Sequence, residues 1–239
     1  MGSPLVKWLS GYTTDELQGR RSEHWLGHDE LDDLLPVPEP SSIPPHRHVD
    51  RLTNPRCKTP SIKSRLVRQL ATLFPDNRSA NEPLPFTHLN KISLLEHAEI
   101  ECLRMHPPIG YAMPRDTPPQ GAVISGVYIP GGVAVGVPAA TIGRNANVYA
   151  NPNTWDPNRW SDEKADIATM KTCFLGFGYG SRQCIGRNVA TQFITKMIAT
   201  LLLRYEIELE DKDLVLETKE FTIQKPDRPY KIVLRPREV

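Results

Sequence analysis

Phe174-Leu-Gly-Phe177-Gly-Tyr-Gly180-Ser-Arg182-Gln-Cys184-Ile-Gly186-Arg-Asn-Val-Ala190 decides how this chain is read. Four glycines fall within eleven residues, Gly176 to Gly186, together with one arginine and one cysteine. A core turn needs one glycine for a positive φ; four say that backbone comes very close to something that is not protein. Cys184 is then the candidate contact, although a lone intracellular cysteine also reads as a small buried hydrophobe. The segment that follows is the clearest helix in the chain. Ala190, Phe193, Ile194, Met197, Ile198, Leu201 and Leu202 fall at i, i+3, i+4, i+7, i+8, i+11 and i+12, a wide apolar face that predicts burial.

Working outward, a second helix runs from about Ile92 to His106, with Leu95, Ala98, Cys102 and Met105 on one stripe, and stops at Pro107-Pro108. Glu101 and Arg104 are three residues apart, hence neighbours beside that stripe. Upstream, Ser61 is a candidate cap for a helix carrying Ile62, Leu66, Leu70 and Leu73, ended by Phe74-Pro75. Between Gly121 and Val137 the period becomes alternating: Val123 and Val127-Tyr-Ile129 flank a Ser125-Gly126 turn, and Val133 to Val137 follow, predicting one small antiparallel sheet. Asn145 to Ser161 reads as meandering coil bearing Arg159 and Trp160. After the long helix, Tyr205 to Leu209 alternates as a strand, and Phe221-Thr-Ile223 and Tyr230 to Leu234 read as a closing hairpin. Residues 1–51 form an irregular segment with a Pro-rich linker, Leu35 to His46, and two short helix candidates at Thr14 to Arg21 and His28 to Leu35.

Composition is that of a globular chain: 239 residues, 39% hydrophobic and 24% charged. Lys+Arg at 29 against Asp+Glu at 28 leaves a net charge of +1, so no global field argues for nucleic acid or an anionic membrane. Cys57, Cys102, Cys173 and Cys184 are scattered, with no Cys-x-x-Cys pair and no secretory leader, which points to a reduced intracellular setting. No uncharged apolar run reaches bilayer thickness. Gly176-Phe-Gly178-Tyr-Gly180 is a weak dinucleotide fingerprint, because Ser-Arg-Gln-Cys precedes the helix and no acid stands about twenty residues on. Zinc fares no better: His24 and His28 lack the intervening glutamate, and His46-Arg-His48 has no nearby cysteine.

The set Phe177, Gly180, Arg182, Cys184, Gly186 and Ala190, ahead of a long helix, resembles the haem-binding signature of the cytochrome P-450 family, Phe-x-x-Gly-x-Arg-x-Cys-x-Gly with an alanine four residues on. Glu101-Cys-Leu-Arg104 is similar to the family's Glu-x-x-Arg helix, and Asp156-Pro157-Asn-Arg159-Trp160 to its Pro-x-Arg-aromatic segment. Arg115, in Met113-Pro-Arg115, matches a second propionate-binding arginine and reads equally as an exposed loop residue. Ile142-Gly-Arg-Asn145 is similar to the fungal microsomal branch, often used in secondary metabolism.

This resemblance covers residues 52–239 and implies a mainly α fold with a small antiparallel β region, the proximal C-terminal half of the family's domain. It implies haem b with Cys184 as axial iron ligand, a loop (Phe177, Gly178, Gly180, Arg182, Gly186, Ala190) lying against the macrocycle, and a buried Glu101, Arg104 and Arg159 network. A thiolate ligand favours O–O cleavage, and a cysteine ahead of a helix N-terminus faces N–H groups that favour an anionic sulfur. Cys173 is off the ligand position and is expected to pack. The implied activity is an NADPH- and O2-dependent monooxygenase served by a separate reductase, acting on a small organic molecule at the cytosolic face of the endoplasmic reticulum. The family's oxygen-activating central helix and membrane anchor have no counterpart, so no catalytic residue is assigned. That leaves open an inactive truncated relative, a non-enzymatic interaction domain, and a cytoplasmic location.

Overall fold

The computed structural model describes residues 60–75, 84–209, 218–220, 224–226 and 232–237, all within the second of the two units into which the chain divides, Pro40–Val239. The helix candidates and Pro-rich linker of residues 1–51 lie outside them. Helix α1, Pro60–Leu73, starts with proline, whose fixed φ and missing N–H suit a first helical position. Ser61 therefore sits inside the first turn and not at the cap. Ile62, Leu66 and Leu70 are buried, but Leu73 is exposed and Phe74 takes the inward place expected of it. The stripe keeps its spacing of four, and the Phe74 N–H donates to the Leu70 carbonyl at 2.9 Å.

After the short α2, Phe86–Leu89, helix α3 spans Ser93–Met105 and ends before Pro107-Pro108. It is buried on almost every side: Leu94, Leu95, Ala98, Glu99, Glu101, Cys102, Leu103, Arg104 and Met105 are all inside. The region that follows folds into two separate two-stranded ladders, not one sheet. In the first, β1 (Arg115–Asp116) pairs with β4 (Ala134–Val135); in the second, β2 (Ala122–Ile124) pairs with β3 (Val127–Ile129). Ser125 and Gly126 have φ of 49° and 81°, the left-handed pair that a two-residue hairpin loop needs.

Helix α4, Ala139–Ile142, leads into the Asn- and Pro-rich segment, in which Asp156 accepts from the Asn158 N–H and starts a 3-10 turn, Pro157–Ser161. Helix α5, Ile167–Thr172, is capped by Asp166. Helix α6 spans Arg187–Arg204 and packs against α1, α2 and α3. Its buried face is rotated from the predicted one. Ile194, Thr195, Ile198, Ala199, Leu202 and Leu203 point inward, while Phe193 is 54% exposed. Counting apolar residues favours the bulky row through Phe193 and Met197, whereas close packing against α3 takes the row with small Thr195 and Ala199.

Strand β5 (Tyr205–Leu209) pairs antiparallel with β8 (Ile232–Pro236), and β6 (Thr218–Glu220) pairs with β7 (Gln224–Pro226). The last strand returns to the one that leaves α6, a pairing the sequence reading did not include. A strand at Phe221 to Ile223 lies outside the described residues. The main core joins α1, α3 and α6 with Trp155 and Ile207; a second cluster gathers Tyr149, Trp160 and Met170, with Phe174 and Cys173 against it. Among the described residues no helix is long and apolar enough to cross a membrane.

Candidate functional site

Glu101 is fully buried and accepts five hydrogen bonds. Arg104 donates through Nε and Nη2 at 2.9 Å each, Arg159 through Nε at 2.9 Å, Trp160 through Nε1 at 2.9 Å, and the Asp156 N–H at 3.0 Å. The guanidinium donors left over go to backbone. Arg104 reaches the carbonyls of Gly143, Pro152 and Thr154; Arg159 reaches those of Ala150, Asn151 and Thr154. Arg104 also lies over the Tyr149 ring, 5.1 Å from its centroid. A single carboxylate and two arginines thus pin an irregular segment, residues 143–160, to α3. The structure brings Glu101, Arg104 and Arg159 together as one unit with each charge answered, the condition under which buried ions are tolerated.

This unit reaches the glycine-rich loop through aromatic packing. Trp160, whose indole holds Glu101, meets Phe174 edge-on with ring centroids 6.0 Å apart, and Phe174 opens the loop. From there the chain bends at Gly178 and Gly180, with φ of 72° and 69°, conformations that L side chains rarely adopt. The Cys184 N–H donates to the Phe177 carbonyl at 2.8 Å, closing the loop on itself. Gly180–Arg182 forms a single 3-10 turn within it. Cys184 is exposed, Cys102 buried and Cys173 half-buried, and none of the three is in a disulfide. Gly186 is the N-cap position of α6, and a Cβ built there would stand 3.8 Å from the Cys184 Sγ. The Ala190 N–H closes the first turn on the Gly186 carbonyl at 2.9 Å.

Phe177 is half-buried, with the Arg187 guanidinium 5.7 Å above its ring. Arg182 is exposed on the 3-10 turn. Arg115 is exposed in β1, its Nη1 donating to the Pro114 carbonyl at 2.7 Å. Two residues earlier, Met113 brings its Cε to 3.8 Å from where a Cβ on Gly178 would stand, so the Arg115 segment and the loop are neighbours. On the loop and the first turns of α6, Tyr179, Ile185, Val189 and Phe193 are 69%, 71%, 66% and 54% exposed. An exposed thiol on a glycine-bent loop, with exposed apolar residues and arginines close to it in sequence, fits a flat apolar macrocycle bearing acidic groups. The residues present suit haem.

Three participants were given no role in the sequence. Tyr149 lies under the Arg104 guanidinium, and Gly143 lets its backbone approach α3, where a Cβ would run into the Arg104 carbonyl. Glu99 is the third. It stands four residues after Leu95 and three before Cys102, on the predicted apolar stripe, and that misplaced carboxylate was its legible signal.

Residues 57–234, well over half of the chain, match the family model described as Cytochrome P450. The cytochrome P450 monooxygenase cicH of Emericella nidulans is 38% identical over 133 residues, covering 54% of this chain and 26% of that protein. The cytochrome P450 monooxygenase gsfF of Penicillium aethiopicum is 35% identical over 59% of this chain and 28% of its own length. Pisatin demethylase of Fusarium vanettenii is 29% identical over 68% of this chain and 31% of its own. The chain thus spans about a quarter to a third of these relatives. With the family match running through α3, its carboxylate unit and the cysteine loop, the chain belongs to the cytochrome P450 family.

Proposed function

We propose that residues 52–239 hold haem b with Cys184 as the axial iron ligand, and that the protein works as a haem-thiolate monooxygenase on a small organic molecule. The observation that carries this is the exposed Cys184 thiol on a loop bent at Gly178 and Gly180 and backed by the Glu101 unit. When bound, iron with a thiolate ligand supplies the activation of dioxygen. The chain supplies the rest of the setting. Gly178 and Gly180 supply the positive-φ bends that let the loop lie against a flat group, Gly186 keeps a Cβ away from the sulfur, and Phe177 would shield it. Arg182 and Arg115 offer guanidinium groups to the propionates. Ala190 keeps the first turn of α6 narrow, and Glu101, Arg104 and Arg159 hold the scaffold behind the loop.

Electrons would come from NADPH through a separate reductase, as the family's chemistry requires. The resemblance to the fungal branch favours oxidation of a secondary metabolite, and one fungal relative is named a demethylase. Titrating the purified chain with haem and recording the reduced carbon-monoxide difference spectrum tests the reading. Uptake of about one haem per chain with a thiolate-type Soret band is expected. No uptake would overturn it and favour an interaction domain built on the same fold. Where haem binds, turnover with NADPH and reductase separates an active oxygenase from an inactive relative.

A further inference from the structure

Glu99 is a charged residue that the Glu101 unit does not use. It is only 5% exposed, on the side of α3 that faces α6, where the Thr195 hydroxyl donates to its Oε2 at 3.1 Å and Thr191 also bonds it. Two spaces adjoin it. One is a cavity of about 10 Å³ shared with Thr195, Cys102 and Trp155, whose Nε1 is buried with no hydrogen-bond partner among the described residues. The other, about 280 Å³, is walled by Glu96, Glu99, Phe174, Phe177, Arg187 and Thr191 among others. It runs from α3 to the cysteine loop. The charged groups facing Glu99 are Glu96 on its own helix and Arg187 at the start of α6.

We propose that Glu99 is a positioning residue whose protonation decides where Arg187 lies, and through it how the Cys184 loop is covered. With Glu99 neutral, Arg187 rests over the Phe177 ring, and the Phe177 carbonyl holds the Cys184 N–H. Once Glu99 ionises, a carboxylate in a dry slot draws the one cation that faces it. Arg187 has the larger cavity to swing through, and leaving Phe177 uncovers the loop three residues from the sulfur. Burial pushes Glu99 up to about 7, against the opposing pull of the Thr191 and Thr195 hydroxyls, with Glu96 adding to the rise and Arg187 opposing it. The change therefore falls in the neutral range.

The inference rests on Cys184 being the functional sulfur, but its test requires no haem. Peptide-resolved alkylation rates of the four cysteines are measured on the full chain from about pH 6 to about pH 8. Wild type is compared with Glu99→Gln, Thr195→Val and Arg187→Gln. At acid pH, wild type and Glu99→Gln should label Cys184 at equal rates; above a midpoint near 7 the wild type should pull ahead severalfold. Thr195→Val, which removes a bond to the ionised form, should raise that midpoint. Arg187→Gln should abolish the step. A wild-type to Glu99→Gln ratio that stays flat with pH would overturn the proposal, as would a step seen equally at Cys173, which marks general loosening. Failure of haem uptake leaves this readout intact, so the two readings fail separately.

Discussion

Glu101 is the residue on which local order depends most heavily. Its carboxylate answers two buried guanidinium groups, an indole and a backbone N–H, so replacing it with neutral glutamine leaves Arg104 and Arg159 short of their counter-charge. Removing one partner of a buried pair costs about 3–5 kcal/mol, and Glu101→Gln should lower unfolding free energy by that amount in urea titration. A loss under about 1 kcal/mol would mean that solvent, not Glu101, answers those charges. Gly143 makes a second residue-scale prediction. Because its added Cβ would strike the backbone of Arg104, Gly143→Ala should cost about 1–3 kcal/mol, and an unchanged urea midpoint would contradict the close approach. Glu101, Arg104 and Arg159 were legible only as a resemblance. Their spacing is common in exposed helices, and the carbonyls that hold the arginines come from residues 143–154, where backbone acceptors leave no mark on sequence. Glu99 was missed because the apolar stripe was counted by its hydrophobic members alone.

At the scale of elements, α6 separates pattern from packing. Its existence was legible from spacing, but its inward face was not, since that depends on how closely α3 approaches, and the exposed side keeps apolar Val189 and Phe193. Ile194→Ala should cost about 2–5 kcal/mol by leaving a cavity, whereas Phe193→Ala should cost under about 1 kcal/mol in the same chain. Equal losses would return the helix to the predicted face. The β elements were readable where a turn is local, as at Ser125-Gly126, and not where pairing is distant. Nothing in Ile232 to Leu234 says that a partner is the strand leaving α6. The contact between α3 and α6 also has a pH signature. Glu99 holds its proton up to about 7 when folded, against 4.5 ordinarily, so the stabilisation is complete below about 4.5 and is lost as pH rises through about 7. A shift of that size is worth up to about 3 kcal/mol. Unfolding free energy of the wild type should therefore fall relative to Glu99→Gln between about pH 5 and about pH 8, and parallel curves would contradict a buried titrating carboxyl group.

Across the whole molecule, charge is nearly balanced, so function rests on local chemistry and not on a long-range field. Two apolar clusters share the load: one joins α1, α3 and α6, and the other surrounds Tyr149 and Trp160 and carries the loop through Phe174. Between them the Glu101 unit fixes the irregular segment that neither cluster could hold by packing alone. Ile185, Val189 and Phe193 are exposed apolar residues on the loop and α6. The proposed function turns on one sulfur atom, that of Cys184. The most direct measurement is the reduced carbon-monoxide difference spectrum of the haem-titrated chain, taken side by side for wild type, Cys184→Ser and Cys173→Ser. A thiolate-type band kept by Cys173→Ser and lost by Cys184→Ser is the expected result. A band that survives Cys184→Ser, or disappears with Cys173→Ser, would put the iron on a different ligand.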